Sequence, residues 1–306
     1  MSDILLVSGL SISEKGMRFV EMRHSASAVE IVSTATYSYP ESTTFIREYS
    51  EEQLYSLIEE GVQFLNLQAP LTYHPTSVSI SPAFFLHAMM QEPRGFSTGD
   101  LIEEIRWNYS LLAPYTQEDD LAISLFRNSI TPNDISTAAI NKRILVTINR
   151  VCDELGIKLK AVEHSTLASI RAITNFENNT LAKFLVMHPT EEGMLVYLVV
   201  GGQILFMRTI NAKLTPDVYS ALTSLLAQEP LNYLITPNEE ITTYCVGDFS
   251  QTCRNTEFPH YLKVTEISLL ELTHGGVEIP SELVGEAPAF IPALGTALRL
   301  TESVHL

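Results

Sequence analysis

Positive charge is scarce in this sequence. Of 306 residues, 19 are Lys or Arg against 36 Asp or Glu, a formal net charge of −17. Such an excess of negative charge repels phosphate backbones, which sets nucleic acid aside as a partner and disfavours adhesion to anionic lipid. Cysteine is nearly absent: Cys152, Cys245 and Cys253 are the only three. An odd number in a long chain leads us to expect free thiols in a reducing compartment rather than a disulfide framework. No apolar run reaches the roughly 18 to 20 residues that span a bilayer. The longest, Met194–Phe206, is interrupted by Gly201, Gly202 and Gln203. The first ten residues carry Asp3 and no basic residue, which is not the pattern of a secretory signal. The expectation is a cytoplasmic protein with no membrane insertion of its own, reaching a membrane only through a partner.

Several catalytic signatures are missing as well. Cys245, Cys253 and His260 are the one grouping that resembles metal ligands, and without a Cys-x-x-Cys pair they read as ordinary side chains, not zinc ligands. Ser8 and Ser11 stand in no Gly-x-Ser-x-Gly elbow. The adjacent acids Glu103-Glu104 and Asp119-Asp120 fit solvated surface better than an acid–base pair.

What is present is a globular composition, 45% hydrophobic and 18% charged, with alternating strand and helix patterns. Short strands at Ile4–Val7, Met17–Met22 and Ala28–Thr34 open the chain. A helix follows, with Ser50 as N-cap, Gln53 completing a capping box, and Leu54, Leu57, Ile58, Gly61, Val62 and Leu65 on one face. Val78–Ile80 reads as a strand, AFFLHAMM (Ala83–Met90) as a helix, and Leu101, Ile105 and Tyr109 as the stripe of another helix. Leu121, Ile123 and Leu125 alternate as a strand; Ile135–Ile140 resumes the main domain. Ile144, Ile148, Val151 and Cys152 share a helical face that Gly156 terminates. The second half opens with Phe184–Met187, Met194–Val200 and Ile204–Met207. Gly201-Gly202 closes the hairpin, since both residues of such a two-residue turn need positive φ. A short helix begins at Pro216, strands fall at Tyr233–Thr236, Ile241–Val246 and Tyr261–Ile267, and a last helix begins near Pro292. Each half is thus headed by a three-stranded meander.

Five segments carry a resemblance. SGLSISEKGMRFVEM (Ser8–Met22) resembles the opening pattern of the PilM family of type IV pilus assembly, and VVGGQILFMRTI (Val199–Ile210) its second hairpin. AFIPALGTALRL (Ala289–Leu300) resembles its closing helix and is the most specific of the matches. Ala138–Lys142 and Asp153–Val162 resemble its strand, helix and following segment. The resemblance implies an α/β, actin-like (ribonuclease H-like) fold of two lobes, related to actin, sugar kinases and the division protein FtsA. It puts the first lobe at residues 1–178, with a small α/β subdomain inserted at about 82–130. A reduced second lobe spans 179–306, and the helix at about 292–300 packs between the two.

Actin-like ATPases hold Mg²⁺-nucleotide with two Asp-x-Gly loops. A carboxylate positions the ion and its waters, and a glycine lets backbone N–H groups approach the phosphates. Here the first loop carries Ser11 and Ser13 at those positions, and the second carries Met187 and Pro189; Arg18 replaces a lysine. Methionine cannot hold Mg²⁺, and proline has no N–H. The expectation is a non-catalytic scaffold with no cofactor; the alternatives are an active ATPase or kinase with divergent loops, and a homologue that polymerises without nucleotide. The resemblance also implies a partner, the cytoplasmic N-terminal tail of a PilN-like bitopic membrane protein, captured beside the inserted subdomain. Candidate contacts there are Phe84, Phe85, Met89, Trp107 and Tyr109, because aromatic and methionine side chains favour peptide grooves; at helical spacing the same residues also fit the core of a small subdomain. A homo-oligomer is also compatible with it.

Overall fold

The computed structural model describes residues 5–25, 29–40, 49–69, 71, 73–91, 95–112, 120–127, 134–176, 183–190, 193–210, 217–227, 235, 240–248, 258, 260–265 and 286–302. Two five-stranded sheets repeat one plan. In the first, β1 (Leu5–Ile12), β2 (Gly16–His24) and β3 (Val29–Ser38) form an antiparallel meander, and β4 (Thr76–Ile80) joins β1 in parallel. Between β4 and the last strand of this sheet, β8 (Leu159–His164), lies an insert holding β5 (Leu86–Gln91), β6 (Leu121–Arg127) and β7 (Asp134–Asn141). The second sheet is built alike: β9 (Lys183–Pro189), β10 (Met194–Val200) and β11 (Gln203–Ile210) form the meander, and β12 (Ile241–Cys245) and β13 (Leu262–Thr265) run parallel beside β9. The orders β3-β2-β1-β4-β8 and β11-β10-β9-β12-β13 correspond strand for strand.

Local chemistry accounts for much of this. Gly201 and Gly202 have φ of 57° and 75°, the left-handed pair a tight hairpin demands. The unbroken apolar sequence of β10 reflects burial on both faces: Leu195, Tyr197 and Val199 enter the core between the sheets, and Val196 and Leu198 enter a core of the second lobe alone. Ser50 and Gln53 exchange the reciprocal capping bonds expected of them ahead of α1 (Glu51–Gln68), at 3.2 and 2.9 Å. That helix buries the six residues expected from its spacing. Asn141 caps α3 (Lys142–Glu154), and Gly156 follows with φ of 70°.

Two expectations in the insert change. Ala83–Met90 does not form a helix: Pro82–Phe84 is one 3₁₀ turn capped by Phe85, and strand β5 begins at Leu86. A short apolar run fits either state, and pairing with β7 decides it for strand. The sheet order is β5-β7-β6, so β7 is the insert's central strand and the insert's sheet runs to Asn141, past Ile130. Helix α2 (Thr98–Leu112) covers it through Leu101, Ile105 and Tyr109.

Two helices fill the space between the large sheets: α4 (Ser165–Phe176) and the terminal helix, here α6 (Ala287–Glu302). A shorter α5 (Asp217–Leu226) lies on the outer face of the second sheet, its side chains in the second-lobe core. Helix α6 is buried on all sides from Ala287 to Leu298, as its charge-free sequence up to Arg299 requires. Two glycines let it approach so closely. A Cβ on Gly295 would stand 1.7 Å from the Ala168 carbonyl oxygen of α4, and one on Gly9 of β1 would stand 2.0 Å from that of Ala293. The helix starts five residues before Pro292, contrary to expectation. Pro292 cannot donate to the Pro288 carbonyl, and the Gly247 N–H takes that acceptor instead, at 2.9 Å. Glu163 of β8, almost fully buried, receives Arg171 of α4 through both oxygens (2.8 and 3.1 Å) and Arg299 of α6 (3.1 Å).

The strand expected at Tyr233–Thr236 and the start of the helix at Pro216 lie outside the described residues, as does Cys253. Cys152 is a free, buried thiol, pushed up to about 12 by burial. Cys245 corrects the free-thiol expectation: it is disulfide-bonded, a pairing that depends on three-dimensional proximity that no sequence spacing reveals. Among the described residues no helix is long and apolar enough to cross a membrane.

Candidate functional site: the seam and the groove between the lobes

Among the described residues, two meeting places of the lobes stand out beyond the apolar core. The first is where the β1–β2 turn faces the end of β12. Strand alternation sends Val7 and Gly9 toward the interlobe side and Leu10 and Ile12 into the first-lobe core, so Ser11 and Ser13 follow the interlobe face. The Ser13 hydroxyl contacts the carboxylate of Asp248, just past β12. Its oxygen also accepts the backbone N–H groups of Lys15 (3.3 Å) and Gly16 (3.2 Å). Arg18 of β2 pairs with Asp248 at 3.0 Å, both side chains under 10% exposed (9% and 3%), and lies 3.8 Å from Glu286 ahead of α6.

The second loop is arranged differently. Met187 points into the second-lobe core and is fully buried. The residue facing the first lobe is His188, whose ring packs on Gly247. Pro189 ends β9, paired with Met194, and the turn beyond it is closed by the Thr190 N–H donating to the Gly193 carbonyl at 2.7 Å. The residues at these four positions do not fit a magnesium nucleotide. Met187 offers no oxygen and faces away, Pro189 has no N–H, and the donors of the first turn are already engaged by Ser13.

Beside this seam, three histidines converge from the three sheets. His87 of β5 and His164 of β8 lie Nε2 to Nε2 at 3.0 Å. The Thr166 N–H donates to His164 Nδ1 at 3.0 Å, so the proton of His164 sits on Nε2 and is donated to His87. Burial holds His164 well below the ordinary histidine range, with the neighbouring His87 and His188 adding to it. His188 is held down to about 3, chiefly by burial and then by His87.

The second meeting place is a cavity of about 600 Å³. Its walls are β5, the edge strand of the inserted sheet, and the β10–β11 hairpin, whose β11 is the edge strand of the second sheet. Phe85, His87 and Met89 face Leu195, Met207 and Arg208 across it. An Arg208 guanidinium nitrogen stands 3.7 Å from the Met89 sulfur, joining the two walls.

The five candidate partner contacts separate in space. Phe85 and Met89 line the cavity, and the Phe85 ring centroid also lies 4.3 Å from that of His164, the planes tilted by 48°. Phe84 lies in the first-lobe core. Tyr109 is buried, its hydroxyl bonded to Thr137 (2.7 Å) and the Leu86 carbonyl (3.0 Å). Trp107 is 53% exposed on the outer face of α2, apart from the residues lining the cavity. Sequence reasoning missed His87, His164 and His188, Arg208, and the role of Asp248. The available signal was weak: Gly247-Asp248 directly after a strand, and His188 at an inward register.

No protein-family model matches the sequence, and no curated protein sequence does. Among solved structures, the chain superposes on a PilM–PilN type IV pilus biogenesis complex with a TM-score of 0.64 at 16% identity, over 96% of this chain and 98% of that one. The cytoplasmic domain of EpsL, an inner-membrane component of the Vibrio cholerae type II secretion system, gives 0.45 at 13% identity, over 96% and 94%. A Bacteroides thetaiotaomicron protein of unknown function with an actin-like ATPase fold gives 0.47 at 13% identity, over 82% and 86%. The chain is similar in structure to PilM and adopts the actin-like, two-lobed α/β fold with a small α/β subdomain inserted in the first lobe.

Proposed function

We propose that this protein is a non-catalytic actin-like scaffold of a pilus or type II secretion-like platform at the inner membrane. In this role it is cytoplasmic and docks the cytoplasmic N-terminal tail of a bitopic, PilN-like partner. The observation that carries the reading is the groove between β5 and the β10–β11 hairpin. It lies between two sheet edges, where an extended segment gains backbone hydrogen bonds along with side-chain pockets. Met89, 39% exposed, supplies an adaptable apolar contact, over Phe85 and Met207, which are almost fully buried at its base. Charge supports the choice of partner. Cytoplasmic tails of membrane proteins carry an excess of Lys and Arg, and a scaffold of net charge −17 attracts them at long range. The similarity to a PilM chain held with PilN motivates the choice of tail.

The loss of catalysis rests on Ser11, Ser13, Met187 and Pro189 and on Asp248 beside Ser13. The test has two arms. A labelled tail peptide from the host's candidate partner binds saturably, and Met89→Ala or Arg208→Ala weakens it; absence of saturable binding sinks the docking role. Thermal unfolding with millimolar ATP and Mg²⁺ leaves the midpoint unchanged. A shift abolished by EDTA would put an active ATPase in its place, since ligand at 100 times its Kd adds about 2.7 kcal/mol.

A further inference from the structure

Buried charge is costly unless every member is paired, yet the seam between the β1–β2 turn and β12 buries an arginine and an aspartate. Arg18 comes from one lobe and Asp248 from the other. Together the Arg18 guanidinium and the Ser13 hydroxyl, whose oxygen is held in place by the Lys15 and Gly16 N–H groups, form a small cradle suited to an anion. Asp248 fills it, one carboxylate oxygen toward Arg18 and the other toward Ser13.

The chain invests local structure in placing that carboxylate. Gly247 holds φ of 89°, and a Cβ there would stand 2.5 Å from His188 Nε2. Its N–H is anchored on the Pro288 carbonyl, the acceptor that Pro292 leaves vacant inside α6. The Phe290 ring of α6 lies 6.0 Å from the Arg18 guanidinium. Three unusual backbone choices, Gly247, Pro292 and the β1–β2 turn, therefore converge on one contact.

We infer that Asp248 is an internal anion: it occupies the first lobe's anion cradle in place of a ligand and latches the lobes together without nucleotide. This rests on the scaffold reading and deepens it. The groove has one wall on the inserted subdomain of the first lobe and one on the second lobe, so it keeps its width only while the lobes are held together. An internal latch makes the groove constitutive, where a nucleotide-dependent clamp would make it conditional.

The test is anion rescue on the full chain. Asp248→Ala lowers the thermal midpoint, and inorganic phosphate restores several degrees of it relative to sodium chloride of equal ionic strength. The wild type, its cradle filled, gains no such increment, and Arg18→Ala in the Asp248→Ala background abolishes the rescue. Equal responses of wild type and Asp248→Ala to phosphate overturn the inference. If Asp248→Ala does not fold, Asp248→Asn keeps the shape without the charge. Hydrogen exchange in 86–91 and 203–210, the two groove walls, then rises at least tenfold if Asp248 is the latch, and unchanged exchange overturns it. ATP protection of the wild type would defeat the scaffold reading alone, whereas the phosphate arm judges the latch, so the two failures are distinguishable.

Discussion

The two meeting places of the lobes solve opposite problems with similar material. At the seam, Asp248 of the second lobe meets Arg18 and Ser13 of the first, and within the second lobe the Gly247 N–H donates to the Pro288 carbonyl. Behind it, α6 is packed so closely that a Cβ on Gly295 would collide with the Ala168 carbonyl. At the groove, two edge strands line a cavity of about 600 Å³. The first arrangement fills its own polar space with Asp248; the second is the surface on which the proposed docking rests.

The sharpest way to break this contrast is at the close approach of α6. Gly295→Ala drives a methyl group into the Ala168 carbonyl, where only backbone can yield. We expect a loss of about 3 kcal/mol or more, the upper range for overpacking, measured by urea unfolding. Stability close to wild type would show that α4 and α6 separate easily and that the seam is not rigid.

Acid sharpens the comparison next. His188, held down to about 3, is neutral in the folded protein and takes up a proton near pH 6.5 once unfolded. Its contribution is therefore complete above pH 6.5 and is lost progressively as pH falls toward 3. At pH 5 the loss from His188 is about 2 kcal/mol, one and a half pKa units at ~1.36 kcal/mol each. His164 acts in the same direction. The expected observation is a melting temperature that declines from pH 7 to pH 5, with a shallower decline in His188→Gln. A flat profile would place both rings in contact with water.

Met89→Ala tests the groove alone. The side chain is 39% exposed, so folding changes by less than about 1 kcal/mol. Peptide affinity falls about tenfold, equivalent to ~1.4 kcal/mol, read by fluorescence anisotropy. The smallest effect belongs to Trp107→Ala, within about 0.5 kcal/mol in stability and without change in peptide affinity, because Trp107 stands on the far face of α2. A loss of affinity at Trp107 would move the docking surface from the groove to that helix.

Legibility from sequence followed the range of the interactions. The capping box at Ser50, the stop at Gly156 and the hairpin at Gly201-Gly202 depend on neighbours a few residues away, and all three were readable. The Ala83–Met90 segment was misread because its apolar residues suit helix and strand alike, and β7, some fifty residues later, makes the choice. The candidate contacts suffered the same way. Phe84 and Phe85 are adjacent, yet one enters the first-lobe core and the other also reaches the groove.

By itself the sequence determined the duplicated meanders, the apolar last helix, and the residue types at Ser11, Ser13, Met187 and Pro189, because each is a property of residue type and local period. Tertiary structure alone decided that Met187 faces a core while His188 faces the seam, that Asp248 meets Arg18 and Ser13, and that three histidines from three sheets converge. Those contacts join residues up to 235 positions apart. Only the closing of the lobes around α6 brings them within reach, since long-range pairing follows from packing and leaves no periodic trace in the chain.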